Sequence, residues 1–122
     1  MDHDVAKDET SAMISSNKVE GTAVYNSRGE RLGSIYNFMV DKLSGQVRYA
    51  VLSFGGFMGL GEDYYPIPWN TLTYDTRLSG YVVDLTREQL EDAPHFDAGH
   101  EPVYNRDYGQ RVHNHYGQPY SI

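Results

Sequence analysis

A chain of 122 residues with 39% hydrophobic content suits one small domain, in which roughly two thirds of the unfolded chain's surface can be buried. Ten basic residues against seventeen acidic ones give a formal charge of −7, with the basic groups scattered rather than gathered into a stripe; this argues against a nucleic-acid partner. The absence of cysteine excludes a disulfide framework, thiol catalysis and thiolate metal sites.

Eleven tyrosines, with four phenylalanines, one tryptophan and twelve glycines, favour strands, because aromatic side chains suit a pleated, half-buried surface. The opening MDHDVAKDET is polar and partly acidic and predicts no secretory leader. The longest apolar stretch, Tyr49 to Gly61, is shorter than the about 20 residues of a membrane span and is interrupted by Ser53 and glycines. A soluble, cytoplasmic protein without direct membrane insertion is expected.

Residues 1–17 lack periodicity and read as an N-terminal tail, with Met13 and Ile14 as an adjacent pair of large apolar residues able to dock. Lys18 to Tyr25 has strand composition and leads into Asn26-Ser27-Arg28-Gly29, whose Asn and Gly suit a turn needing positive φ. The second arm of this hairpin, Arg31 to Asp41, carries Tyr36, Phe38 and Val40 on one face of a period-two pattern, and Gly33 marks a bulge or a close backbone approach. Lys42-Leu43-Ser44-Gly45 forms a second turn before Gln46 to Phe54, a run with so little alternation that both faces should be covered.

Pro66 and Pro68 donate no ladder hydrogen bonds, so Tyr64 to Trp69 is an edge strand, a short strand or a bulged corner. Leu72 to Asp75 and Tyr81 to Leu85 flank a turn and form a final hairpin. Thr86 and Gln89 have capping-box spacing, predicting a short helix that ends near Pro94 with Leu90 and Ala93 facing inward. Residues 95–122 read as a polar tail whose Tyr104, Tyr108, Tyr116 and Tyr120 can pin it to a surface.

Six short strands separated by turn signals predict a mainly β fold, a small closed or nearly closed antiparallel barrel with one short C-terminal helix. In this order, the pieces EGTAVYNSRGERLGSIYNFMVDKLSGQVRYAVLSFGGFMGLGEDYYPIPW, LTYD and GYVVDLTREQLEDAP resemble the PRC-barrel family. That family is typified by the cytoplasmic domain of the photosynthetic reaction-centre H subunit. The resemblance covers residues 18–94, the barrel domain, and the ending RVHNHYGQPY is similar to stand-alone bacterial members. It implies the family's small β-barrel, often self-associated. The reaction-centre subunit has a membrane helix, and a related ribosome-maturation factor has an RNA-associated barrel; neither has a counterpart here, so what carries over is a non-catalytic barrel contacting other macromolecules.

The loop Gly55-Gly56-Phe57-Met58-Gly59-Leu60-Gly61 does not fit a phosphate cradle, since no Lys-Ser/Thr pair follows and the prolines preclude the required helix. Gly55, Gly56, Gly59, Gly61, Pro66, Pro68 and Trp69 are read as structural, building a barrel corner, with Trp69 in the core. The candidate partner-binding surface is Phe57, Met58, Leu60, Tyr64 and Tyr65; the alternative is that Phe57 and Met58 fold back as a lid. Histidines 95, 100, 113 and 115 lack rigid ligand spacing, although His113 and His115 would point to one side of an extended segment.

No nucleophile elbow, paired-carboxylate motif or triad order appears, and Glu62 and Asp63 read as solvated turn carboxylates. The expected function is therefore a non-catalytic adaptor or self-assembly module, without cofactor or metal, forming a homo-oligomer or binding a protein partner. A second reading is an H-subunit-like protein docked on a photosynthetic membrane complex. A third, an enzyme, predicts a deep pocket holding a histidine or carboxylate with a strongly shifted pKa.

Overall fold

The first turn is built by one side chain. Asn26 Oδ1 accepts hydrogen bonds from the backbone N–H groups of Arg28 (3.0 Å) and Glu30 (2.9 Å), while its Nδ2 donates to Glu30 Oε1 (2.8 Å). Gly29, at φ 85°, completes the reversal between β1 (Ala23–Asn26) and β2 (Arg31–Val40). The computed structural model from which these contacts are taken describes residues 13–55 and 62–120. Upstream of β1 the expected strand from Lys18 is replaced by a single helical turn, α1 (Ser16–Val19), which buries Val19. Gly21, at φ 86°, separates that turn from the strand, so the strand-like composition of KVEG is overridden by the turn at Gly21.

Three irregularities set the register of β2, the last being Arg48, an extra residue of the next strand between the pairs Met39↔Tyr49 and Val40↔Val47. Leu32 is the extra residue between the pairs Val24↔Gly33 and Tyr25↔Arg31. Tyr36 is the extra residue between Ile35↔Leu52 and Asn37↔Val51. The bulge at Tyr36 shifts the strand's phase: Ile35 is buried, Phe38 packs against the core three residues later, and Tyr36 and Val40 are exposed. Tyr36, Phe38 and Val40, expected to share one face, are thus divided: Phe38 packs against the core with Ile35, while Tyr36 and Val40 are exposed. Gly33 combines the two readings offered for it, since it neighbours a bulge and a Cβ there would strike the Ser53 carbonyl.

At the next turn Asp41 Oδ1 accepts from the N–H groups of Leu43 (2.9 Å) and Ser44 (3.0 Å), and Gly45 takes φ 78°. β3 (Val47–Gly55) follows, and Tyr49, Ala50, Val51, Leu52 and Phe54 are all buried, as its weak alternation requires. It pairs without a break with β4 (Glu62–Pro68). The far side of β4 is paired only at Asp63 and Tyr64, by the two-residue β7 (Phe96–Asp97), so β4 is an edge where its prolines stand. A 3₁₀ turn (Trp69–Thr71) leads into the hairpin of β5 (Leu72–Asp75) and β6 (Gly80–Val83).

The helix α2 (Arg87–Glu91) carries both bonds of its capping box: Gln89 N–H to Thr86 Oγ1 at 3.0 Å and Thr86 N–H to Gln89 Oε1 at 2.9 Å. It buries Leu90, and Ala93 follows into the same core. The segment expected as a polar tail carries β7 and a ten-residue helix, α3 (Arg106–His115), which packs against β4. α3 starts on Asn105, whose side chain accepts from Tyr108 N–H. It ends in a Schellman pair, Gly117 N–H to the Asn114 carbonyl and Gln118 N–H to the His113 carbonyl at 2.9 Å, with Gly117 at φ 66°.

The strands form one mixed sheet in the order β5-β6-β1-β2-β3-β4-β7. The fold is mainly β, as expected, but the six-stranded antiparallel barrel is corrected: among the described residues there are seven strands, β1 and β6 pair in parallel, the sheet ends on β5 and β7 rather than closing, and short helices accompany it. Parallel contact is permitted at Gly80, where a Cβ would lie 2.6 Å from the Ala23 carbonyl oxygen. The sheet curves around a main core of Val24, Ile35, Leu52, Ile67, Val83, Leu90 and their neighbours, while Tyr49, Val51 and Val112 are buried outside it. Trp69, half-buried at its rim, packs edge-on against Phe38 of β2 at 5.2 Å and meets Tyr81 of β6 at 5.6 Å.

Candidate functional surface

The β3–β4 corner is built from strict alternation on β4. Tyr65 and Ile67 point into the core; Tyr64, one residue out of phase, points to the opposite face. There the Tyr64 ring meets the Tyr36 ring of β2 at 4.6 Å and the Phe96 ring of β7 at 5.6 Å. β3 runs between β2 and β4, and at this level it presents Ser53, paired with Ser34 on one side and Tyr64 on the other. A side chain that small lets the two tyrosine rings meet across the strand. The product is a strip of three aromatic rings over β2, β3, β4 and β7, with Tyr36 47% exposed at its open end.

The strip stands at the root of the hairpin that joins β3 to β4. Gly55 and Glu62 form its last backbone pair. Of the residues singled out in the sequence, Gly56, Phe57, Met58, Gly59, Leu60 and Gly61 lie outside the described residues. The segment that follows them, from Glu62, is the strand β4.

Tyr65 is turned inward, 4% exposed, edge-on to Phe54 at 5.3 Å and stacked on His95 at 4.8 Å. Burial, with the charges of Asp63 and Glu91 adding to it, raises its phenol pKa above the ordinary range. It supports the corner from within, and its place on the surface is taken by Tyr36 and Phe96. Neither was picked out from the sequence; the signal for Tyr36 was hidden by the bulge, which reverses the face that simple alternation assigns. Pro66 and Pro68 are fully buried.

The histidines are engaged individually. His113 is buried in α3 with Nδ1 2.8 Å from the Gly109 carbonyl, and its ring lies edge-on to Tyr49 and Tyr120. His115 places Nε2 2.8 Å from the Gln89 carbonyl, tying α3 to α2. The helix thus sends His113 and His115 to different partners, in place of the shared side expected of an extended segment. His95 Nδ1 lies 2.9 Å from the Ala93 carbonyl and its Nε2 4.0 Å from Asp63, while His100 pairs with Asp97 at 3.2 Å. Among the described residues no group of three or more histidines and carboxylates is placed to share a metal ion. Nor is any helix among them long and apolar enough to cross a membrane.

Of the four tyrosines expected to pin the C-terminal segment, Tyr104 and Tyr116 reach the rest of the fold, while Tyr108 and Tyr120 pack within the segment. Tyr104 packs on Tyr49 at 5.3 Å and on Tyr108 at 5.4 Å, Tyr116 joins the main core, and Tyr120 leans on His113. Burial pushes the Tyr49 phenol up to about 12 and raises those of Tyr104 and Tyr116 as well.

Residues 12–90 match the family model of the PRC-barrel domain. The matched span ends in α2, so β7 and α3 lie beyond it. No curated protein matches the chain.

Proposed function

The chain belongs to the PRC-barrel domain family, and from that premise we propose that it works as a non-catalytic contact module that assembles with further copies of itself through the β3–β4 corner. The observation that carries this reading is the aromatic strip of Tyr36, Tyr64 and Phe96, left partly open to solvent at the root of the hairpin. Aromatic side chains at an exposed sheet face supply large contact area at small conformational cost. The sequence between β3 and β4 adds Phe57, Met58 and Leu60, a flexible thioether among apolar groups that suits an adaptable contact. A second copy of the chain brings an identical surface, and a two-fold arrangement lets one corner cover the other.

Replacing Phe57 and Met58 together by serine tests this. The reading predicts weaker association with an unchanged circular dichroism spectrum. A variant that no longer folds would instead identify the two residues as a lid over the core.

A further inference from the structure

Arg28, Arg77 and Arg87, far apart in the sequence, gather around the β1–β2 turn. Arg87 holds Glu30 Oε2 through Nε (3.2 Å) and Nη2 (3.1 Å), and Arg77 holds Asp75 through Nε on Oδ1 (3.3 Å) and Nη2 on Oδ2 (3.1 Å). Each of these carboxylates thus has its own guanidinium. Arg28 stands apart: its backbone N–H donates to Asn26 Oδ1, while its exposed guanidinium makes no hydrogen bond or ion pair among the described residues. Asp84, a further carboxylate beside this turn, accepts from Ser27 Oγ at 3.3 Å.

Between this turn and the one joining β5 to β6 lies an open cleft of about 470 Å³, with Arg28 on one wall and Asp75, Arg77, Leu78 and Val82 on the other. Two arginines against Asp75 leave its lining one positive charge, on a chain whose formal charge is −7. Its donors face solvent: the Arg77 side chain is 87% exposed and turns only Nε and Nη2 to Asp75. Both walls are fixed in advance, by the Asn26 side chain on one turn and, on the other, by Asp75 Oδ1 accepting from Arg77 N–H (2.9 Å) and the Asp75 carbonyl from Leu78 N–H (3.1 Å). A preformed cleft spends little binding energy on ordering itself.

We infer that this cleft takes an acidic segment of a protein partner, one carboxylate accepting from the Arg28 guanidinium and an adjoining aliphatic side chain lying on Leu78 and Val82. A planar guanidinium edge matches a carboxylate, and a single negative charge balances the lining, whereas a phosphate dianion would exceed it with Asp75 and Asp84 close by. The volume falls within the roughly 300–1,000 Å³ that encloses a ligand of a few side chains' size. The cleft shares no residue with the aromatic strip, and the inference does not rest on the assembly reading.

Titration of the ¹⁵N-labelled full chain with acetyl-Leu-Glu-amide, and with acetyl-Leu-Gln-amide as its uncharged isostere, tests the assignment. The expected result is a saturable shift of the Arg28, Gly29, Arg77 and Leu78 amides with the Glu peptide, at a Kd on the order of a millimolar, and binding of the Gln peptide weaker by about tenfold. Arg28→Gln leaves the Arg77–Asp75 pair in place and should weaken the Glu peptide by about tenfold, erasing its advantage. Leu78→Ser should weaken both peptides alike, by about threefold or more. Absence of saturable shifts, shifts confined to other parts of the chain, equal affinity for the two peptides, undiminished binding in either variant, or the same amides moved as readily by inorganic phosphate would overturn the inference.

Discussion

Replacing Gly109 by alanine should reverse the sign that helix chemistry alone dictates. In an exposed helix interior alanine is favoured over glycine by about 1 kcal/mol. Gly109 is buried in α3, however, and a Cβ there would run into the Tyr120 ring and stand 3.0 Å from Tyr49 Oη. Tyr49 has little freedom to yield, being 5% exposed and flanked by the Tyr104 and His113 rings. Tyr120 can swing away, at the loss of its edge contact with His113 at 5.2 Å and its place under the Arg106 guanidinium at 5.7 Å. Overpacking costs about 1–3 kcal/mol and a lost aromatic contact about 0.5–1.5, so after the helix gain the net destabilisation is about 1–3 kcal/mol. Urea denaturation of Gly109→Ala, alone and combined with Tyr120→Ala, measures it. The substitution should be close to neutral once Tyr120 is truncated, a coupling of about 1 kcal/mol or more. Stabilisation by about 1 kcal/mol in both backgrounds would refute the docking of α3 described above.

Leu90→Ala removes a fully buried side chain from the core beneath α2 and should lower stability by about 2–5 kcal/mol in the same assay; a cost under about 1 would mean that α2 is not docked. Alkaline pH gives a third test. Tyr49, Tyr104 and Tyr116 have folded-state pKa values raised by burial, so the unfolded chain releases their protons first. Their contribution is whole below the ordinary phenol value of about 10 and is lost as pH rises from there through about 12, where Tyr49 ionises. Denaturation midpoints should fall over that window, with phenolate absorbance appearing together with unfolding. A flat stability profile to pH 12 would contradict the burial of these rings.

Local chemistry with a short range was readable from the residues alone. Asn26 and Gly29 announce their turn because a side-chain carbonyl and a positive φ are chemically specific demands. Thr86 and Gln89 do the same for α2, and the prolines of β4 mark a ladder edge. What could not be read was pairing between distant segments. Nothing in the alternation of Val24 or Tyr81 tells whether β1 and β6 run parallel, and the contact is licensed only by the missing side chain of Gly80.

The bulge at Tyr36 was likewise invisible. It inverts the strand's phase in mid-run and brings the ring onto the surface beside Tyr64 and Phe96, while of the two β4 tyrosines named for the candidate surface Tyr65 is turned into the core. α3 was overlooked for a different reason. Its buried face is Gly109, Val112 and His113, which reads as polar by composition, yet its punctuation was present: Asn105 as cap, Asp107 in the first turn, histidines in the last and Gly117 beyond it. Amphipathicity carried by a glycine and a histidine escapes a hydrophobicity pattern.

Joining of copies through the β3–β4 corner is measurable by light scattering over a concentration series, on the full chain and on the variant with serine at both Phe57 and Met58. The unaltered chain should show a mass above the 13.9 kDa of one copy, rising with concentration, and the variant a return toward 13.9 kDa. A mass of 13.9 kDa at every concentration, or an identical oligomer in both proteins, would contradict it.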